Sequence, residues 1–264
     1  MGSATREALT AVRDTLAQQA GAVDLTVGEE LFSLARLLGS STQLRGAVAD
    51  PTADASAKEA LVDRAFTGKV SGAALATLRT AAVQRWSEPG DIVAGLEEAG
   101  VRAIAQSAPA SLSVSDELFE VGRAVSSDAQ LELALRSKLA AADAKVGVVE
   151  RLLRGKASDQ TTAIVRQLVH DPRGRSIRES LRWAQQVVAD QKQAVLATVT
   201  SAQRLGSAQL DRLRTVLTAR YGKAVSFNTV IDPTLIGGLR VRVGDDVIDA
   251  SVATRLADVR LQLI

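Results

Sequence analysis

An internal repeat constrains this chain more than any other feature of its sequence. Without a gap, Val27-Gly-Glu-Glu-Leu-Phe-Ser-Leu-Ala-Arg36 lines up with Val114-Ser-Asp-Glu-Leu-Phe-Glu-Val-Gly-Arg123, an offset of 87 residues. The same offset pairs Gln43-Leu44 with Gln130-Leu131, Ala57-Lys58 with Ala144-Lys145, Gly68-Lys69 with Gly155-Lys156, and Arg79 with Arg166. About 20 of the 53 positions from Val27 to Arg79 are identical to their partners, more than two unrelated alanine-rich segments would share. One supersecondary unit is used twice, so whatever fold the first copy takes, the second is expected to take as well.

Local signals make that unit helical. Thr26 with Glu29, and Ser113 with Asp116, have capping-box spacing, in which a hydroxyl and a carboxylate satisfy exposed backbone donors. Leu31, Leu34, Ala35 and Leu38 fall on one helical face, as do Leu118, Val121, Gly122 and Val125, and that face is expected to be buried. Leu61, Val62, Ala65 and Phe66 correspond to Val148, Val149, Leu152 and Leu153, with Gly68 and Gly155 placed to end those helices. Ser71 and Ser158 cap the helices that follow, while Pro89-Gly90 and Asp171-Pro172 supply breaks. Ser176 and Glu179 open a helix from about Ile177 to Gln193. A leading helix from about Ala4 to Ala20, with Leu9, Val12 and Leu16 on one face, brings the first copy to about six helices. The second copy has no leader of its own. The helix from about Asp91 to Gln106 is therefore expected to close the first bundle and open the second.

Near residue 194 the hydrophobic period changes from helical to alternating. Ala194-Val-Leu-Ala-Thr-Val-Thr-Ser reads as a strand, and Ser207 caps a helix carrying Leu210, Leu213, Leu217 and Tyr221 that Gly222 ends. Val225, Phe227, Thr229 and Ile231 alternate as a second strand, and Asp232-Pro233 turns the chain. Leu239, Val241 and Val243 then alternate with Arg240 and Arg242, and Gly244-Asp245-Asp246 turns into Val247-Ile-Asp249, a hairpin. Ser251 caps a last helix with Val252, Leu256, Val259 and Leu263. The fold class is mainly α: a tandem duplicated helical bundle, residues 1–108 and 109–193, followed by a small α+β module, residues 194–264.

Several kinds of chemistry are excluded or left without support. The absence of cysteine removes disulfides, thiolate catalysis and zinc–thiolate sites. Gly68-Lys69-Val-Ser71 and Gly155-Lys156-Ala-Ser158 lack the glycine five residues earlier and the adjacent hydroxyl of a phosphate loop, so they read as helix ends. Gly237-Gly238 leads into a strand and is no dinucleotide fingerprint; a positive φ or a bulge explains it. His170, the single histidine, has no companion ligand and reads as a helix-end residue. Arg166, Arg173, Arg175, Arg178 and Arg182 cluster, either as a solvated face or as a patch for an acidic partner. The carboxylates of Asp232, Asp245, Asp246 and Asp249 have turn or cap roles in preference to metal binding. With 32 basic and 30 acidic residues mixed along the chain, no nucleic-acid partner is implied. No catalytic residue, cofactor or metal is expected. The first residues lack the apolar core of a signal peptide, and no run approaches the roughly 18 apolar residues of a membrane span. The chain is expected to stay in the cytoplasm and to meet the membrane only through a partner.

The closing stretch, Ile231-Asp-Pro-Thr-Leu-Ile-Gly-Gly-Leu-Arg-Val-Arg-Val-Gly-Asp-Asp-Val-Ile-Asp249, closely resembles the C-terminal signature of the delta subunit family of F-type ATP synthase, relatives of the mitochondrial oligomycin-sensitivity-conferring protein. The earlier residues are similar more loosely, through Leu-Phe helices of the family's N-terminal bundle. The duplicated bundle is a departure from that pattern. The resemblance implies a non-catalytic stator subunit at the cytoplasmic face of a bacterial plasma membrane. Its bundle would receive the N-terminal helices of the alpha subunits, and its C-terminal module would meet the b subunits of the peripheral stalk. Carried over as signature positions with structural roles are Asp232, Pro233, Gly237, Gly238, Gly244, Asp245, Ile248, Asp249 and Ser251. The reading next in order is a general helical adaptor that shares the fold.

Overall fold

The computed structural model describes residues 2–137, 139–192, 194–235, 237–244 and 246–249. They belong to two compact units, residues 1–188 and 189–264. The helices are α1 (Ser3–Gln18), α2 (Leu25–Ser40), α3 (Thr42–Val48), α4 (Ala55–Phe66), α5 (Gly72–Val83), α6 (Asp91–Ser107), α7 (Val114–Ser127), α8 (Ala129–Arg136), α9 (Ala142–Leu153), α10 (Asp159–His170), α11 (Ile177–Gln191) and, in the second unit, α12 (Ser207–Tyr221). A short 3-10 turn (Ala20–Ala22) follows α1.

The duplication is carried into three dimensions. In the first copy α4 and α2 both pack on α5, and α3 packs on α2; in the second, α9 and α7 both pack on α10, and α8 packs on α7. Where α1 lies against α5, α6 lies against α10. One core gathers residues of α1 to α6 and a second gathers residues of α6 to α11 together with Phe32 of α2. Helix α6 is common to both, giving Ile92, Leu96 and Ala103 to the first core and Val101, Ile104 and Ala105 to the second. Every residue from Leu96 to Ala105 is buried. A helix buried on all sides, its charged Glu97, Glu98 and Arg102 included, lies at the centre of its fold, and so one α6 serves as last helix of one copy and first helix of the next. It crosses α2 at two glycines. A Cβ on Gly28 would lie 2.3 Å from Ile104 Cγ1, and one on Gly100 would lie 2.5 Å from Phe32 Cδ1.

Polar anchors recur at the 87-residue offset. Glu30 accepts from Ser71 N (2.9 Å) and Oγ (2.5 Å); Glu117 accepts from Ser158 N (3.0 Å) and Oγ (2.5 Å). Each serine also caps its helix, accepting from Ala74 N or Thr161 N. Asp63 pairs with Arg79 and Glu150 with Arg166. Gly68 and Gly155 both end their helices in the left-handed region, at φ 76° and 70°. Burial works to raise the Glu117 pKa, but the donors from Ser158 Oγ, Thr161 and Ser158 N outweigh it and hold the carboxyl below its ordinary value. A depressed folded pKa means that stability is present above the unfolded value of about 4.3 and is lost as pH falls through the folded one. Glu117→Ala and Glu30→Ala should each cost about 1 to 2 kcal/mol in urea denaturation at neutral pH, and Glu117→Gln should flatten the acid limb of stability.

Local differences from the sequence expectation have simple causes. Helix α2 starts at Leu25, because the Asp24 carboxylate accepts from Val27 N at 3.0 Å and caps two residues ahead of Thr26. Ser113 caps α7 as expected, and Ser176 with Glu179 forms the reciprocal pair, Ser176 N to Glu179 Oε2 2.7 Å and Glu179 N to Ser176 Oγ 3.3 Å. Ser207 is the first residue of α12 and not its cap; Gln209 Oε1 takes the Gly206 N–H at 2.9 Å. Leu61 and Leu152 are 36% and 41% exposed, since Val62 with Phe66 and Val149 with Leu153 already fill the i, i+4 stripe.

In the second unit β1 (Ala194–Ser201), β2 (Ala224–Ile231), β3 (Leu239–Val243) and β4 (Asp246–Asp249) form a sheet of order β2-β1-β3-β4. Strands β1 and β2 are parallel, joined through α12, whereas β3 runs antiparallel to both β1 and β4. Alternate residues Ala197, Val199, Val241 and Val243 join Val225 and Leu217 of α12 in one small core. Gly222 ends α12 at φ 65°, as its sequence position predicts. The helix expected from Ser251, carrying Val252, Leu256, Val259 and Leu263, lies outside the described residues.

Candidate functional site

The signature positions that the structure describes shape two turns and the edge of the sheet. Asp232 closes β2: its N–H donates to Ser201 O at 2.9 Å, and its Oδ1 accepts from Thr234 N at 3.0 Å and Thr234 Oγ1 at 2.6 Å. Those two bonds from Thr234, the hydroxyl first, hold its carboxyl below the usual aspartate range. Pro233 follows in the turn. Gly237 and Gly238 enter β3 with φ of 152° and 80°, and Gly244 begins the hairpin turn at φ 59°. Glycine at 238 and 244 is a backbone requirement, since a Cβ would clash in the left-handed region. Ile248 sits opposite Val241 and packs on the small core, while Asp249 sits opposite Arg240, with Arg240 Nε to Asp249 Oδ2 at 2.9 Å. Tyr221 Oη donates to Asp246 Oδ2 at 3.2 Å, tying α12 to the hairpin. Asp245 and Ser251 lie outside the described residues.

The arginine cluster divides: Arg173 and Arg175 reach a buried carboxylate, while Arg166, Arg178 and Arg182 stay exposed on the surface. Arg175 Nη2 reaches both carboxylate oxygens of Glu97 on α6, at 2.9 and 2.7 Å, and Arg173 Nη1 reaches the same group at 3.5 Å. Arg175 also lies 4.3 Å from the Trp183 ring centroid. Arg178 pairs with Glu132, and Arg166 with Glu150 and Glu29. Glu97 is 1% exposed; burial pushes its carboxyl up, more than Arg175 and Arg173 pull it down. The connection between α10 and α11 is thereby fastened to α6, and Arg173 is held in the left-handed region at φ 50°, which costs a non-glycine residue about 1 kcal/mol or more. A carboxylate amid the buried residues of α6 was the signal available in the sequence, but its partners lie 76 and 78 residues away. Glu97→Gln should destabilise the chain by about 1 to 3 kcal/mol in urea denaturation, because Arg175 and Arg173, their side chains about three-quarters buried, lose their counter-charge. Amide exchange across residues 171–176 should quicken roughly tenfold as that loop loses its anchor.

His170 is the last residue of α10, as expected. Lys69 N donates to Phe66 O at 3.0 Å in the turn that ends α4, so the Gly68-Lys69 pair is a helix terminus. Among the described residues no group of three or more metal-ligating side chains comes together, and no helix is long and apolar enough to cross a membrane. What the arrangement offers is shaped surface on two separately built units.

Known proteins agree with the signature. The sequence model of the family described as ATP synthase delta (OSCP) subunit matches residues 101–263. Over 263 residues the chain is 50% identical to the ATP synthase subunit delta of Leifsonia xyli subsp. xyli, covering 100% of this chain and 99% of that protein. The subunit delta of Thermobifida fusca is 39% identical, covering 90% of each chain, and that of Rhodococcus opacus 37%, covering 100% and 99%. A chain of the Toxoplasma gondii mitochondrial ATP synthase hexamer aligns with 63% of this chain and 94% of its own, at TM-score 0.38 and 19% identity, too distant to carry an argument. Full-length identity of this order, together with the family match over the C-terminal part, shows that the chain belongs to the delta (OSCP) subunit family of ATP synthase.

Proposed function

We propose that the two helical copies hold the catalytic head through the N-terminal helices of the alpha subunits, while the small α+β module holds the b subunits of the peripheral stalk. As a delta subunit the chain is a structural, non-catalytic stator component of ATP synthase, a partner of other subunits of that complex. Its work is mechanical: the catalytic hexamer is held against the turning rotor so that proton flow and ATP synthesis stay coupled. The observation that carries the division of labour is the separation into a helical unit with two cores and an α+β unit with its own core. A helix seated in a groove between helices gives firm attachment through buried apolar anchors, which suits residues 1–108 and 109–193. Residues 194–264 offer a turn-rich surface in which Asp232, Pro233, Gly237, Gly238, Gly244, Asp245, Ile248, Asp249 and Ser251 act as shaping positions. The complex is membrane-associated, and we place this subunit at its cytoplasmic face. Binding of isolated head and of b subunits to a chain ending at Gln193 tests the assignment. Retained stalk binding with loss of the head would reverse it.

A further inference from the structure

The two copies differ at one position in a way that leaves a cation without a counter-ion. On α7, Arg123 Nη1 bonds to both carboxylate oxygens of Glu120, at 3.1 and 3.3 Å. The matching residues on α2 are Arg36 and Ser33. Arg36 accordingly donates to neutral groups, Ser33 Oγ at 2.8 Å and Gln167 Oε1 on α10, and forms no ion pair among the described residues. Burial and the nearby Arg166 guanidinium push its pKa down, more than the Asp171 and Glu29 carboxylates pull it up.

Arg36 lines a cleft of about 400 Å³ together with Arg166, Gln167 and His170 of the second copy. Gln167 is 2% exposed; Arg36 occupies its Oε1, and its Nε2 has no hydrogen-bond partner. The buried Nδ1 of His170 has none either. A buried amide N–H left without an acceptor is unfavourable, and a half-buried guanidinium without an anion adds to that. One acceptor group with negative charge relieves both. Two acids also line the cleft. Glu29 is bound to Arg166 at 3.5 Å, and Asp143, its side chain almost fully exposed, stands 3.9 Å from His170 Nε2. Their charge disfavours a polyphosphate, and the cleft volume suits a small ligand.

We propose that this cleft between the two copies binds a compact oxyanion, of phosphate or carboxylate type, with Arg36 and Gln167 as its principal donors. The duplication creates the site: a single bundle has no facing α10, and the second copy's own arginine is already neutralised by Glu120. Calorimetric titration of the full chain with sodium phosphate and, separately, sodium acetate, at ionic strength held constant with sodium chloride, tests it. Saturable binding of one anion per chain is expected, and whichever titration gives it identifies the oxyanion type. Arg36→Gln should weaken that binding at least tenfold, whereas Arg79→Gln, at the position in copy one that matches Arg166, should leave it unchanged. Ser33→Glu keeps Arg36 but supplies the carboxylate that copy two has at Glu120. It should abolish binding while leaving the melting temperature at or above that of the parent, and it decides the matter if Arg36→Gln fails to fold. No saturable binding of either anion, or binding that survives Ser33→Glu unchanged, overturns the proposal.

Discussion

An ATP synthase carrying this subunit cut after Gln193 is expected to hydrolyse ATP without pumping protons. The cut falls just past α11 and spares every residue of the first unit, residues 1–188. The two helical cores draw their buried residues from between Ala8 and Val188, so the remaining chain keeps what holds it folded, and its helical circular dichroism should persist. What is lost is the four-stranded sheet, α12 and the signature turns at Asp232 and Gly244. Catalytic sites lie on other subunits, so hydrolysis should continue near its normal rate. On the proposed division of labour the cut removes the stalk attachment, so the head should turn with the rotor and torque should do no work across the membrane. Membrane vesicles with the reconstituted complex give the measurement: ATP-driven acidification should vanish while phosphate release persists. Undiminished acidification would show that the stalk is held elsewhere.

Gly100→Val should cost about 3 kcal/mol or more and lower the melting temperature by roughly 6 to 12 °C. Valine has the better intrinsic helix propensity, a gain of a few tenths of a kcal/mol. Sterics outweigh it. The new Cβ would stand 2.5 and 2.6 Å from Phe32 Cδ1 and Cε1 and 3.1 Å from Gly28 O. Phe32 is 2% exposed and belongs to the second core, so its ring has no solvent to swing into, and α2 must move off α6. Gly39→Ala on the same α2 is the control. Its Cβ would meet only Val93 Cγ1, at 3.7 Å, so the propensity gain should dominate and stabilise by about 0.5 to 1 kcal/mol. Urea denaturation of both variants separates close crossing from general intolerance of α2; a loss below about 1 kcal/mol for Gly100→Val would contradict the tight α2–α6 contact.

Much of this architecture is encoded in short-range signals. Ser71 and Ser158 cap, Gly68 and Gly155 terminate, and the alternation in β1 and β3 marks a sheet, because each effect acts within four residues of its cause. The repeat likewise foretold the shared α6, since copy two lacked a leader and a helix buried on all sides was available to supply one. At Asp24 a competing cap two residues earlier won over Thr26, a local choice that spacing alone left open. Long-range electrostatics was not legible in the same way. The arginines from Arg166 to Arg182 read as one cluster along the chain, but folding sends Arg173 and Arg175 to Glu97, Arg178 to Glu132 and Arg166 to Glu150 and Glu29. Arg123 has Glu120 three residues before it where Arg36 has Ser33, a difference written in the sequence, but that Arg36 would meet Gln167 became visible only once α2 and α10 faced each other. Caps, periods and turns are decided by neighbours in sequence and can be read there. The fate of a charge depends on which helices close around it, and that is set by how the buried faces fit together.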